Sequence, residues 1–315
     1  MRPFRWRTER DARKSTSPQR DRVLEQTLER IELRLAALEE RLEDQRRVLR
    51  QLPAVVRKLY LDGVSLPPEF ELRARRFGLG SQNEEDGILL ELFRRIGTTD
   101  RRFVEIGCGV NGGNTGFLAA DCGWSGLMVD ARKGAVEKSA AKFASERVTV
   151  IKRRVTRESL DGMLKKFGFV GSIDLLSIDV DGIDYWLWDG LTACQPRVVI
   201  IEFNWLWGAE RAVTVPYDPD FDISKGGTRA YRGASLNALV RLGDRVGYRL
   251  VATERVNAIF VQAGLALEFP TLSPAQAIRA PTNLSKAMDP FGKIAAHGLA
   301  LVEVPEGGPA RGTER

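Results

Sequence analysis

The sequence predicts an α/β fold on a mostly parallel sheet, closed by an antiparallel hairpin and preceded by one long helix. Three patterns predict it. From residue 103 onward, short apolar runs alternate with helix-length amphipathic runs, which is the pattern of repeated β-α units. The first of these runs enters a glycine-rich turn, as a nucleotide-binding α/β sheet does. Ahead of both, leucines recur at alternating four- and three-residue spacing, the seam of a coiled coil. Together these describe a Rossmann-like sheet carried behind a coiled-coil helix.

In chain order, residues 1–20 are polar, basic and contain Ser and Pro, which predicts disorder. The seam follows at Leu24, Leu28, Ile31, Leu35, Leu38, Leu42, Leu49 and Leu52, with Gln45 at one seam position. So narrow an apolar stripe predicts a coiled-coil helix over 21–60 that joins copies of the chain through residues 24–52, rather than a helix lying on its own domain. Pro53 is expected to end or kink it. Residues 61–80 read as a connector, broken at Leu66-Pro67-Pro68-Glu69. Ser81-Gln82-Asn83-Glu84-Glu85-Asp86-Gly87 reads as a polar loop entering a helix with an acidic first turn. Strands are expected at 103–107, 126–130, 148–155, 173–179 and 197–204. Helices are expected at 113–122, 134–146, 157–167, 183–192 and 234–246, and two closing strands at 248–254 and 257–263. The main domain is thus 81–304, and a second disordered tail is expected at 305–315.

Composition removes several classes. No apolar run reaches the ~20 residues of a membrane span, and no apolar stretch follows the basic N-terminus. A cytoplasmic protein without a transmembrane segment is the expectation. The three cysteines form no CxxC pair, so neither a zinc site nor a disulfide framework is predicted. The one histidine, His297, leaves no imidazole for a Ser-His-Asp triad or a hydride-transfer site. A base is therefore expected to be a carboxylate, a tyrosine or a lysine. Much of the +6 net charge sits in the first 22 residues and in scattered arginine pairs, the latter read as solvated surface, and no nucleic-acid partner is expected.

The chemistry concentrates at two places. The first is Val104-Glu105-Ile106-Gly107-Cys108-Gly109-Val110-Asn111-Gly112-Gly113-Asn114-Thr115, a strand, a glycine turn and a helix start. Gly107 and Gly109 let backbone approach a ligand where a Cβ would collide. Asp130, at the end of the next strand, can accept from both hydroxyls of a ribose. The string Gly107-x-Gly109-x-x-Gly112 also fits an NAD fingerprint. Against NAD stand the missing histidine and Glu105, which can accept from a cationic amine such as that of S-adenosylmethionine (SAM).

Residues 81–261 resemble the FkbM-like branch of class I methyltransferases. The resemblance rests on Ser81-Gln82, Glu85-Asp86-Gly87, Val104-Glu105-Ile106-Gly107, Asn114-Thr115, Gly123-Trp124-Ser125-Gly126-Leu127, Asp130, Leu176-Ser177-Ile178-Asp179-Val180-Asp181-Gly182 and Ile200-Ile201-Glu202-Phe203. It implies SAM-dependent O-methylation of a sugar, glycan or natural-product hydroxyl. The expected cofactor-binding set is Glu105, Gly107, Gly109, Asn114, Asp130 and Asp179.

The second place is acidic. Asp179, Asp181 and Asp184 follow one strand, and Glu202 and Asn204 end the next, all on the edge where ligands sit in open α/β sheets. Oxygen ligands suit Mg²⁺ or another hard cation, and the set is partly similar to that of cation-dependent sugar O-methyltransferases. That gives Asp179, Asp181, Glu202 and Asn204 as a candidate metal set. Alternatively, Asp181 or Glu202 serves directly as general base, or these acids merely cap helices. The long loop 205–233 reads as a substrate lid, with Trp205 and Trp207 suited to stacking on sugar rings. The reading from a different class is a non-catalytic coiled-coil scaffold with a degenerate methyltransferase-like domain.

Overall fold

The structure is a computed structural model that describes residues 18–60, 71–228, 230–278 and 289–307. Of the expected tails 1–20 and 305–315, residues 1–17 and 308–315 lie outside the described residues, as does the Pro-containing part of the connector. The chain divides into two compact units, Met1–Pro53 and Ala54–Arg315.

Helix α1 spans Pro18–Tyr60. It starts three residues earlier than expected and does not end at Pro53. The proline ring removes one backbone donor there, and helical backbone resumes beyond it. Leu28, Ile31, Leu35, Leu38, Leu42, Leu49 and Leu52 along the seam are between 47% and 65% exposed.

The second unit is built on a seven-stranded sheet in the order β3-β2-β1-β4-β5-β8-β7. Its strands are β1 (Arg102–Ile106), β2 (Ser125–Asp130), β3 (Val148–Lys152), β4 (Gly171–Ile178), β5 (Cys194–Glu202), β7 (Tyr248–Glu254) and β8 (Asn257–Gln262). The first five are parallel; β8 runs antiparallel to β5, and β7 antiparallel to β8. A short β6 (Val213–Thr214) pairs with β9 (Val302–Glu303) in a separate ribbon. The β-α alternation and the closing hairpin are as the sequence predicts. Two strands are shorter: β8 ends one residue early at Gln262, and β3 stops at Lys152, where 153–155 turn away to line a cavity.

Alternation along the strands supplies both faces with apolar side chains. On one face Val104, Ile106, Leu176, Ile178, Val199 and Ile201 pack with helices α6 (Arg157–Lys166), α7 (Asp184–Gly190) and α8 (Leu236–Val246). On the other, Phe103, Met128, Leu175, Val198 and Ile200 pack with α2 (Glu71–Ala74), α3 (Glu85–Ile96), α4 (Gly116–Asp121) and α5 (Lys133–Phe143). The connections leave β1 and β4 in opposite directions, so the sheet has its switch point between them. That is where an open α/β sheet leaves a crevice at the carboxyl ends of its strands.

The opposite end of β4 is closed by a buried ion pair. The Asp174 carboxylate accepts from the backbone N–H groups of Thr99 (2.9 Å), Asp100 (3.1 Å) and Arg101 (2.7 Å) and from Arg197 Nη1 (2.7 Å). Burial alone raises the pKa of Asp174, but these donors hold it below the usual range. Arg197 also donates to the carbonyls of Ile96 and Gly97 at the end of α3. Arg197→Met is expected to cost about 3–5 kcal/mol in urea denaturation, since it leaves a buried carboxylate without its counter-ion. A loss under about 1 kcal/mol would show that the backbone donors alone suffice.

Candidate active site

The glycine turn after β1 is set by backbone. Gly107 has φ +92°, and its N–H donates to the Val129 carbonyl at 2.7 Å. A Cβ there would lie 1.6 Å from the Asp179 carbonyl oxygen, so only glycine lets β1 and β4 close at the switch point. The Asp179 N–H in turn donates to the Ile106 carbonyl at 2.8 Å.

A cavity of about 450 Å³ opens at this point, in the size range of small-molecule sites. Gly107, Asp130, Arg132, Arg153, Asp179 and Phe221 are among its lining residues. Asp130 is held from two sides. Its Oδ2 accepts from the Gly109 N–H at 3.0 Å, and its Oδ1 from the Arg132 N–H at 2.8 Å. The Arg132 guanidinium adds a two-pronged contact to the same carboxylate, at 3.1 and 3.0 Å. Burial works to raise the pKa of Asp130, and Arg132 outweighs it, keeping the group ionised. The Arg132 side chain is itself 73% exposed. Gly109 is not part of the lining; its place in the site is to donate to Asp130.

Glu105 and Asn114, expected on the cofactor, are not among the residues that line this cavity. Glu105 is fully buried, on the face of β1 that it shares with Phe103. Its Oε1 accepts from Ser177 Oγ at 2.9 Å and its Oε2 from the Asn114 N–H at 3.2 Å. Burial pushes its pKa well above the ordinary carboxyl value. Asn114 is buried too, donating to Ser177 Oγ at 3.1 Å and accepting from Asn257 Nδ2 at 3.3 Å. Asn257 Nδ2 also reaches Glu85 Oε1 at 2.8 Å. This polar chain ties the Ser81–Gly87 segment and the hairpin strand β8 to the underside of the glycine turn. Glu105 and Asn114 therefore support the turn from beneath rather than face the cavity.

Beyond β4 and β5 three carboxylates converge. Oxygens of Asp179, Asp184 and Glu202 lie within 4.8 Å of one another. Asp184 sits at the start of α7, where its carboxylate accepts from the N–H groups of Val180 (2.8 Å) and Gly182 (2.9 Å). Asp181 is not in the group. Its backbone is left-handed, with φ +57°, and its 54%-exposed side chain pairs with Arg232 at 2.6 Å. Arg232 also approaches Glu202 at 3.5 Å, setting one guanidinium beside the acids. Asn204, expected as a metal ligand, is committed elsewhere. Its Nδ2 donates to the carbonyls of Ala230 (2.9 Å) and Arg232 (3.0 Å), and its Oδ1 accepts from the Leu206 N–H at 3.1 Å. The carbonyls of 230 and 232 fix the orientation of this amide, and the Leu206 N–H takes its Oδ1, the atom a metal would need.

Burial and the neighbouring acids push Asp179 up to about 7, Asp184 to about 6 and Glu202 to about 9. Unfolded, the same groups titrate near ~4. Between those limits the folded state binds more protons, so their contribution is fully present below ~4 and is lost as pH rises through the folded values. Denaturation of the metal-free protein from about pH 5 to about pH 9 is expected to show falling stability, with a shallower fall in Glu202→Gln. Equal slopes in the two proteins would rule out this linkage.

The loop 205–233 is not structureless. It carries 3₁₀ turns at Trp205–Trp207 and Ile223–Gly226 and the strand β6. Trp207 is buried with Val213, Val215, Tyr231 and Ile294 in a small core of its own, and Trp205 packs against the main core. Trp207 is therefore enclosed by the loop's own packing, while Trp205 is only partly buried. Phe221 is the aromatic that lines the cavity, resting over Gly182, where a Cβ would lie 2.3 Å from its ring. Arg154 Nη1 donates to the Phe221 carbonyl at 3.2 Å, and the Tyr217 hydroxyl donates to Glu158 at 2.6 Å, pinning the loop beside the cavity.

Among the described residues no helix is long and apolar enough to cross a membrane. No curated protein matches the chain. Solved structures similar to it include the methyltransferase domain of a bacterial Hen1, CtHen1-C (13% identity over 56% of this chain and 95% of that one, TM-score 0.37). Also similar are the N-terminal domain of EvdMO1 with SAH bound (15%, 63% and 82%, TM-score 0.35) and a SAM-dependent methyltransferase from Anabaena variabilis (13%, 57% and 85%, TM-score 0.36). The model of the methyltransferase FkbM domain matches residues 65–260, well over half the chain, and spans the glycine turn, Asp130 and the acidic cluster. The chain belongs to the FkbM family of class I, SAM-dependent methyltransferases.

Proposed function

We infer that the protein transfers a methyl group to a hydroxyl of a sugar, glycan or natural-product acceptor. The observation that carries this reading is the convergence of Asp179, Asp184 and Glu202 beside a cavity that Asp179 itself lines. Methylating a hydroxyl requires taking up its proton, and a carboxylate of raised pKa suits that task near neutral pH.

The cavity fits SAM on its own residues. Asp130 offers an ionised carboxylate for a ribose diol, and Gly107 keeps the floor free of side chains. SAM, when bound, supplies the electrophilic methyl of its sulfonium. The chain's work is to orient and to deprotonate. Arg132 turns out to solvent as the diol takes its place on Asp130. Asp179 takes the hydroxyl proton, and Asp184 and Glu202 keep its proton affinity high. Arg232 balances part of their charge. Phe221 and the pinned loop keep water from the reacting hydroxyl.

A second reading is favoured by the same 4.8 Å convergence: a divalent cation held by Asp179, Asp184 and Glu202. It would polarise the hydroxyl and lower its pKa. The two are separated by assaying methyl transfer to sugars and phenolic natural products after chelation and after Mg²⁺ is restored. Activity that survives chelation supports the direct base; activity restored only by the cation supports the metal. Methyl transfer confined to nitrogen or carbon acceptors would overturn both.

A further inference from the structure

We propose that helix α1 pairs with α1 of a second copy of this chain as a parallel, in-register two-stranded coiled coil. The exposed seam sets the heptad. Leu28, Leu35, Leu42 and Leu49 take the a positions, and Ile31, Leu38, Gln45 and Leu52 the d positions. Seven of these eight are large apolar side chains about half exposed along one helix. A stripe of this kind is the surface that knobs-into-holes packing buries.

Two features of the sequence choose the partner and its direction. The first is Gln45, the polar residue of the seam. In a parallel pair in register it meets the Gln45 of the other helix, and each side-chain amide can donate to the other. In an antiparallel pair it faces Leu28, and burial strands the amide without a partner. The second is charge. The e positions are Glu25, Glu32, Glu39 and Arg46, and the g positions include Thr27, Arg34 and Arg41. Parallel pairing sets Arg34 against Glu39 of the other helix, with one like pair, Arg41 against Arg46. Antiparallel pairing sets Glu32 against Glu39 and Arg34 against Arg41, with one opposite pair, Glu25 against Arg46. The e row is mostly acidic and both charged residues of the g row are basic, so only the parallel arrangement places unlike rows together.

The test uses the full chain. Sedimentation velocity of the wild type is expected to give twice the 35.1 kDa chain mass. Leu35→Glu with Leu42→Glu is expected to give the monomer mass while SAM binding, measured by calorimetry, is retained. Direction is read from Gln45→Cys in a Cys122→Ser background, since Cys108 and Cys194 are buried. Mild oxidation should link the pair through position 45, and Leu28→Cys alone should link likewise at position 28. A monomeric wild type, or a trimer or tetramer, overturns the proposal. So does a dimer that cross-links only when Gln45→Cys chains are mixed with Leu28→Cys chains, which is the antiparallel pattern.

Discussion

Asp179→Asn is expected to lower kcat for methyl transfer by roughly 10²- to 10⁴-fold, with SAM affinity changed far less. The substitution keeps shape and volume. It leaves the backbone of residue 179, which closes the sheet against Gly107, in place. What it removes is the one carboxylate that both lines the cavity and belongs to the acidic cluster. Glu202→Gln should also slow turnover, chiefly by changing its pH dependence, because the acids titrate as a coupled set. Asp181→Asn is the contrast. That side chain is half exposed and paired with Arg232, so a change of only a few-fold is expected. Pre-steady-state methyl transfer at saturating SAM measures all three. An Asp181→Asn loss as large as that of Asp179→Asn would move the base to residue 181.

Asp130→Ala is expected to weaken SAM binding by roughly 10²-fold or more. Hydrogen bonds to a charged partner are worth about 1.5–3 kcal/mol each, and a ribose diol donates two. The substitution also releases the Gly109 N–H and the Arg132 guanidinium, which the carboxylate holds in place. Asp130→Asn should fall between wild type and Ala, since the amide can accept but carries no charge. Calorimetry reads the affinities, and thermal unfolding shows that the fold persists. Wild-type affinity in Asp130→Ala would place the cofactor elsewhere.

The sheet is legible in the sequence because each strand carries its own signal, a short apolar run ended by a turn. Asp130 and Gly107 are legible for the same reason: a residue's place at a strand end is a local property. What is not legible depends on which segments meet. Glu105 reads as a ligand acid until Ser177, from β4, and Asn114 enclose it. Asn204 reads as a strand-end oxygen until the Leu206 N–H takes that oxygen and the returning chain at 230–232 takes its Nδ2. Asp184 lies in the acidic string, but only the turn at Asp181 shows that Asp181 lines the cavity mouth and pairs with Arg232 while Asp184 joins the buried acids. Arg232 is about thirty positions from Glu202 and gives no local signal, though it is the cation beside the acids. Trp205 and Trp207 follow a strand end, where substrate contact is the natural reading, yet Trp207 is buried in the loop's own small core and Trp205 packs against the main one.

The most direct test of the account is a calorimetric titration of the full chain with SAM and, separately, with NAD, in the presence and absence of Mg²⁺. The glycine turn, the ionised Asp130 and the acids beyond β4 predict saturable SAM binding near the micromolar range, lost in Asp130→Ala, and no NAD binding. Saturable NAD binding without SAM binding would contradict the assignment of this cavity to the methyl donor.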